Sequence, residues 1–225
     1  MIRALVNTII RLALKLMVRT RTAGMHRVPS RGPLIIAVNH INFLEVPLIY
    51  LLLQPRRIIG LAKIETWDKP ALRVLANLWE AIPVRRGSVD TRAFRRASAE
   101  LRRGAIVVMA PEGTRSGDGR LRPAHAGVVT LAAHTGAPIL PMAHFGGELL
   151  CESWRRLRRP VVTVRVGSPV RVRSKASPEG PGTRSTLTRA EREAALHEVM
   201  TAIARMLPEA NRGVYASAVL LPRMT

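Results

Sequence analysis

Five short apolar runs, separated by segments with helical patterns, place the strongest constraint on the fold of this chain. Each run has the length of a buried strand and is too short for a buried helix. The runs predicted to be strands lie at residues 33–38, 57–62, 105–109, 138–143 and 161–166. Because strand and helix patterns alternate along the chain, we expect an α/β fold with a central, mostly parallel or mixed sheet flanked by helices.

The helical segments carry recognisable boundary signals. Thr188 and Glu191 have the spacing of a capping box at the start of the last long helix. Before it, residues 174–186 are rich in Pro, Gly and Ser and are predicted to form an exposed loop. At 225 residues we expect one domain, residues 21–225, preceded by an N-terminal helix at residues 1–20. Helices are predicted at residues 46–53, 90–103, near 127–135 and 188–207.

The charge of the chain implies an acidic partner. Its 36 Lys and Arg residues exceed its 15 Asp and Glu residues, giving a formal net charge of +21. Nucleic acid, anionic lipid and an acidic carrier protein are the partners that such a charge favours. The single cysteine, Cys151, excludes an intramolecular disulfide framework and a Cys-rich metal site. The sequence contains neither a zinc-binding spacing nor a Walker or dinucleotide-binding glycine motif.

The N-terminal segment has the pattern of an amphipathic helix without an acidic residue. Its polar residues recur every four positions and form one stripe: Arg3, Asn7, Arg11, Lys15 and Arg19. No uninterrupted apolar stretch approaches the ~20 residues needed to span a bilayer. A helix lying in the interface of an anionic membrane is the first interpretation. A helix that packs only on its own domain is the second.

His40 and Glu45 follow the first predicted strand. They are five residues apart, about 140° on a continuous helix, so a regular helix would keep their side chains separate. They can pair only if His40 lies on the strand-to-helix turn and Glu45 in the first turn of the helix. Such a pair is typical of a general base, because the carboxylate fixes the tautomer of the imidazole. Taken alone, a histidine such as His40 is more often a buried or capping residue than a catalytic one.

The block PEGTRS, residues 111–116, follows the strand predicted at 105–109. Gly113 allows a close approach of the backbone, and Arg115 can bind a phosphate through two parallel hydrogen bonds. Thr114 and backbone N–H groups add donors. On its own such a block is usually a simple turn. Its position after a strand favours an anion-binding loop.

Two further blocks complete an ordered set. Arg85 and Arg86 follow an apolar run in the block AIPVRRG, which alone could be a solvated basic loop. The block GAPILPM, residues 136–142, has the composition of a core strand.

In this order, the four blocks resemble the motifs of the glycerolipid acyltransferase family, whose best-known members are the bacterial PlsC-type lysophosphatidate acyltransferases. The family motif N-H-x4-D resembles the stretch from Asn39 to Glu45, with Glu in place of Asp. The motif F-P-E-G-T-R-S is similar to residues 110–116. The motif G-x-x-F-x-x-R resembles residues 80–86, with Glu80 in place of Gly and Pro83 in place of Phe. The motif V-P-I-V-P resembles residues 137–141.

The resemblance implies a reaction and a role for each matched residue. An acyltransferase domain with its motif core at residues 33–172 would move a fatty acyl group from acyl-CoA or acyl-carrier protein to the sn-2 hydroxyl of 1-acyl-sn-glycerol 3-phosphate. His40 would deprotonate that hydroxyl and Glu45 would orient His40. Neither a metal nor a further cofactor is expected, and the expected location is the cytoplasmic face of an anionic membrane. The residues expected to bind the acceptor are Arg86, Glu112, Gly113, Thr114 and Arg115.

Three alternatives to this reading have different observable consequences. The same chemistry could act on glycerol 3-phosphate, another lysophospholipid or a glycolipid. A nucleic-acid-binding protein would need a recognised module, which the sequence lacks, so no nucleic-acid partner is expected. A hydrolase could use a His/Glu pair to activate water, but its commonest version would need a nucleophile-elbow serine, which is absent.

Overall fold

The structure, a computed structural model, describes residues 1–85, 90–172 and 187–220. Within them lies one seven-stranded sheet. Its strands are β1 (Arg19–Ala23), β2 (Leu34–Val38), β3 (Ile58–Lys63), β4 (Ile82–Val84), β5 (Ile106–Met109), β6 (Ile139–Phe145) and β7 (Val161–Val166). The described helices are α1 (Ile2–Met17), α2 (Glu45–Leu52), α3 (Pro70–Leu78), α4 (Thr91–Arg102), α5 (Gly127–Thr135), α6 (Leu150–Arg155), α7 (Arg189–Met206) and α8 (Ala216–Leu220).

The sheet is mixed, which confirms the predicted fold class. Its strand order is β1-β7-β6-β2-β5-β3-β4. Neighbouring strands run parallel except for β6 and β7, which pair antiparallel. Strand β2 lies at the centre between β5 and β6. The carboxyl ends of these three parallel strands therefore meet at one edge of the sheet.

Helices cover both faces of the sheet. Because its central strands are therefore buried on both sides, their sequences are continuous apolar runs. Ile36 contributes to a core shared with α1 and α2 on one face. Its neighbour Ile35 points the opposite way and packs with α4, α5 and α7. All five residues of β2 are buried as a result.

The strands and helices predicted from apolar patterns are present, and most of their ends differ by at most two residues. The exception is the N-terminal helix predicted at residues 1–20, which ends at Met17 because β1 begins at Arg19. Strands β1 and β4 were not predicted. The five residues of β1 are all exposed, so that edge strand has no apolar run. Strand β4 has only three residues and contains Pro83, which an edge strand tolerates. Helices α3, α6 and α8 were also missed. The predicted loop 174–186 lies outside the described residues.

Helix α1 packs on the domain through a side that combines apolar residues with part of its polar stripe. Asn7 is buried, and its Oδ1 accepts a hydrogen bond from the indole Nε1 of Trp79 at 3.0 Å. Arg3 donates from Nε to the hydroxyl of Tyr50 at 3.1 Å. Leu14 is buried in the same core as α2. The helix is therefore held to its own domain by apolar contacts and by two residues of the polar stripe, Arg3 and Asn7.

The outward side of α1 carries a row of exposed apolar side chains. Spacings of three and four residues place them along one line of the helix. They are Ile2, Leu5, Ile9, Leu12 and Leu16. Among the described residues, no helix combines the length and apolar character that crossing a bilayer requires. Helix α1 thus packs on its domain and still leaves an apolar surface uncovered.

Candidate active site

Two of the four sequence blocks, NHINFLE and PEGTRS, lie at the carboxyl edge of the sheet. Asn39 directly follows β2, and Pro111 lies two residues after β5. Strand β6, on the other side of β2, brings His144 to the same edge. This arrangement follows from the parallel strands, whose carboxyl ends point in one direction.

The structure brings His40 and Glu45 together in the geometry that their spacing required. Glu45 is the first residue of α2, and its Oε1 is hydrogen-bonded to Nδ1 of His40. The Oδ1 of Asn42 accepts from the N–H of Leu44 at 2.8 Å, which shapes the turn between them. The N–H of Asn42 donates to the other carboxylate oxygen of Glu45 at 2.9 Å. Both oxygens of Glu45 are therefore held.

The pair is built so that one imidazole nitrogen stays available. Only 3% of the Glu45 side chain is exposed, against 15% of the His40 side chain. Burial by itself would raise the pKa of the Glu45 carboxyl. Its hydrogen bond with His40 and the nearby His144 outweigh that effect and hold the pKa below its ordinary value. An ionised Glu45 fixes the proton of His40 on Nδ1, leaving the lone pair on Nε2 to act as a base.

The loop after β5 is fastened to the His40 turn. Glu112 is buried, and its Oε1 accepts the backbone N–H of His40 at 2.8 Å. Its Oε2 accepts the backbone N–H of Arg122 at 2.8 Å. Burial raises the pKa of the Glu112 carboxyl. The N–H of Ser116 returns a hydrogen bond to the carbonyl of His40 at 2.8 Å. Glu112 thus braces two loops, and its predicted contact with a substrate stays a prediction.

The next three residues of the loop face solvent. Gly113, Thr114 and Arg115 are exposed, and Gly113 has a φ of 67°, which favours glycine. A Cβ at Gly113 would lie 3.3 Å from Cδ2 of His125, so the loop also passes close to that imidazole. Within the part of the chain that the structure describes, the guanidinium of Arg115 has no hydrogen-bond or ion-pair partner. It is free to bind an anion.

The block around the second predicted arginine is only partly described. Arg86 lies outside the described residues, so its role stays a prediction. Glu80, which replaces the family's glycine, has a left-handed backbone with φ of 55°. Its carboxylate forms ion pairs with Arg3 at 3.3 Å and with Arg57 at 2.6 Å. Glu80 therefore forms two ion pairs while its backbone has a conformation that glycine would adopt more easily.

Sequence reasoning missed His144. Its side chain is buried behind the His40–Glu45 pair, and its Nε2 lies 2.8 Å from the carbonyl oxygen of Asn39 and 3.7 Å from Oε2 of Glu45. The only available signal was a histidine inside an apolar strand, three residues after Pro141. By composition, that strand has the pattern of a core strand.

Comparison with known proteins shows which family has this fold and the residues at the carboxyl edge of its sheet. The structure is similar to the crystal structure of the 1-acyl-sn-glycerophosphate acyltransferase PlsC from Thermotoga maritima, with a TM-score of 0.62. The similarity covers 89% of this chain and 78% of that chain at 21% sequence identity, so it shows a shared fold. Residues 19–144 match the sequence profile of the family described as Acyltransferase. The chain belongs to the acyltransferase family.

Curated relatives are similar over the same region. A chloroplastic 1-acyl-sn-glycerol-3-phosphate acyltransferase from Brassica napus is 32% identical over 133 residues, which are 57% of this chain and 38% of the relative. The lyso-ornithine lipid O-acyltransferase of Pseudomonas aeruginosa is 31% identical over 114 residues, 50% of this chain and 43% of the relative. The aligned region is thus about two fifths of each of these two relatives.

Proposed function

We propose that the chain transfers a fatty acyl group from a thioester donor to the sn-2 hydroxyl of 1-acyl-sn-glycerol 3-phosphate, giving phosphatidic acid. The observation that carries the proposal is the His40–Glu45 pair, with its free Nε2, beside the exposed turn that ends at Arg115. The names of several relatives give this reaction, and the His–carboxylate pair is suited to it. The donor is acyl-CoA or acyl-carrier protein.

The proposed reaction needs one base and one oxyanion site. Nε2 of His40 removes the proton from the acceptor hydroxyl while its oxygen attacks the thioester carbonyl. The tetrahedral oxyanion then collapses, the carbon–sulfur bond breaks, and the leaving thiolate takes the proton from the imidazolium. Glu45 stabilises that imidazolium between the two steps. The thioester itself supplies the activated acyl group, so the proposal includes no metal and no further cofactor.

The exposed turn after β5 is proposed to bind the acceptor phosphate. Within the described residues, the N–H groups of Thr114 and Arg115 donate to no backbone or side-chain acceptor. Backbone donors and a free guanidinium together favour a phosphate group or an oxyanion. Arg86 is proposed to join them, as the family motif implies. Glu112 is proposed to support this group by holding the turn in place.

The uncovered apolar row of α1 supports action at a membrane surface. A helix with one apolar side and basic neighbours typically lies in the headgroup region of a bilayer. Seven basic residues lie between Arg3 and Arg31 with no acidic residue among them. We propose that α1 binds the anionic cytoplasmic face of the cell membrane and presents the site to lysolipids there.

Helix α4 is proposed to face the aqueous side and to attract the donor. It packs on the sheet face opposite α1. Its exposed arginines have no ion-pair partner within residues 1–85, 90–172 and 187–220. They are Arg92, Arg95, Arg96 and Arg102. CoA and acyl-carrier proteins are both acidic, so such a surface would favour either donor.

One assay tests the proposed function. Purified protein is mixed with acyl-CoA or acyl-carrier protein and each member of a panel of lysolipids, and thiol release is measured. We expect rapid release with 1-acyl-sn-glycerol 3-phosphate. The name of the Pseudomonas relative makes lyso-ornithine lipid the second candidate acceptor. Preferential use of an acceptor without phosphate would overturn the assignment of the phosphate site, and thiol release without transfer would indicate a hydrolase.

A further inference from the structure

Asn39 and His144 are joined by three hydrogen bonds at the edge of the sheet. The side-chain amide of Asn39 donates to the carbonyl of His144 at 2.9 Å, and its Oδ1 accepts the N–H of His144 at 2.9 Å. The imidazole of His144 completes the set through Nε2, which lies 2.8 Å from the carbonyl oxygen of Asn39. Both residues are buried. This closed group ties the end of β2 to β6.

The hydrogen bonds define which nitrogen of His144 carries a proton. A carbonyl oxygen can only accept, so Nε2 must donate to Asn39. Burial lowers the pKa of the His144 imidazole, which favours its neutral form. The same Nε2 is 3.7 Å from Oε2 of Glu45. The imidazole therefore lies next to the carboxylate whose other oxygen is bonded to His40.

His144 is connected to the His40–Glu45 pair in two ways, and neither involves the solvent-exposed side of the site. The first is the carbonyl of Asn39, whose position sets the peptide that leads into His40. The second is the approach to Oε2 of Glu45, which also accepts the N–H of Asn42. An apolar side chain at position 144 would leave the carbonyl of Asn39 buried without this partner, and an unsatisfied buried acceptor is unfavourable.

We propose that His144 is a positioning residue that holds His40 and Glu45 in their reactive geometry. This inference rests on the proposed acyl transfer only for the prediction about catalysis. His144 does not contact the reacting atoms and exchanges no proton with the substrate. It orders the two residues that do.

Three variants test the proposal. His144→Leu removes the donor to Asn39, whereas His144→Gln keeps an N–H at a similar distance from the backbone. Leu140→Ala is the matched control, because Leu140 is a fully buried residue of the same strand that has no part in these hydrogen bonds. We expect His144→Leu to lower kcat roughly 10- to 100-fold, since a misplacement of about 1 Å can have an effect of that size.

The control separates positioning from simple loss of stability. We expect both KM values of His144→Leu to stay close to those of the parent chain, and His144→Gln to recover most of the kcat. Leu140→Ala should lower the unfolding midpoint while leaving kcat nearly unchanged. The proposal is wrong if His144→Leu keeps the parent kcat, or if Leu140→Ala lowers kcat as much as His144→Leu does.

A spectroscopic measurement tests the proposal even if no acyl transfer is found. A proton shared between imidazole Nδ1 and a carboxylate gives a far-downfield NMR resonance. It should be present in the parent chain and absent from His40→Ala, which assigns it. We expect it to shift or broaden in His144→Leu and to persist in His144→Gln and Leu140→Ala. An unchanged resonance in His144→Leu would overturn the positioning role, whatever the activity assay shows.

Discussion

Replacing three residues of the apolar row on α1 should release the protein from membranes. Leu5, Ile9 and Leu12 are 63%, 56% and 56% exposed in the free protein. Since burying a complete Leu or Ile side chain is worth about 1.5–3 kcal/mol, each should contribute about 1–2 kcal/mol and the three together about 3–5 kcal/mol. At 1.4 kcal/mol for each factor of ten, the triple change to Gln should weaken vesicle binding by a factor of roughly 10² to 4 × 10³. Gln retains a good helix propensity, so α1 should remain folded.

The assay is cosedimentation with vesicles of defined anionic lipid content, followed across a salt series. Leu12→Gln has a matched control in Val214→Gln, because the two side chains are 56% and 58% exposed. We expect the first change to weaken binding and the second to leave it unchanged. Added salt should weaken the binding of the parent chain without abolishing it, since the apolar part is insensitive to screening. Equal binding by the triple variant and the parent chain would refute the assignment of α1 as a membrane-binding helix.

Three further changes have outcomes fixed by local geometry. Because the pKa of Glu45 is below its ordinary value of 4.5 in the folded state, the stability it contributes is present above that value and lost as pH falls through the folded pKa. The unfolding midpoints of the parent chain and Glu45→Gln should therefore converge on acidification, and a constant difference would contradict the ion pair. Glu80→Gly exchanges the surface ion pairs of Glu80 for relief of its left-handed backbone and should change the free energy of unfolding by less than about 1 kcal/mol. Glu80→Val, which gains no such relief, should lower it by more in chemical denaturation, and equal values would show that the backbone is unstrained. Arg115→Lys keeps the charge but loses the paired hydrogen bonds, so the acceptor KM should rise more than the thioester KM, and equal rises would argue against a phosphate site.

The order of strands and helices was predictable wherever burial on both faces imposed an apolar run. Strand β2 is such a case, since all of its residues are buried. The edge strand β1 was not predictable from composition, because its polar residues form a strand only through pairing with β7. Pairing between distant segments leaves no periodic signal in the segment itself.

The parts of the candidate site that could be predicted are those whose reactive residues lie close together in the sequence. The spacing of His40 and Glu45 required a turn followed by the start of a helix, and the structure has that geometry. The buried position of Glu112 was not predictable, because its two hydrogen-bond donors come from residues 72 and 10 positions away along the chain. His144 was missed for the same reason. Its partner Asn39 is 105 residues earlier and is reached only through the pairing of β6 with β2.

The sequence pattern of α1 did not predict which side of the helix faces the core. An amphipathic helix usually turns its apolar side toward the core. Here the core-facing side combines Leu14 with Asn7, whose buried amide receives the hydrogen bond it needs from the indole of Trp79. That partner is 72 residues away along the chain. The exposed apolar row is a second apolar side of the same helix, which the proposed membrane contact can use.

Removal of the base tests the central claim most directly. His40→Ala eliminates the one nitrogen that is proposed to take the proton of the acceptor hydroxyl, and it should leave the sheet and the core intact because the imidazole lies at the edge of both. With saturating thioester and lysolipid, and with folding verified by circular dichroism, the account predicts a fall in thiol release of roughly 10²–10⁴-fold. Turnover near that of the parent chain would contradict the assignment of His40 as the general base.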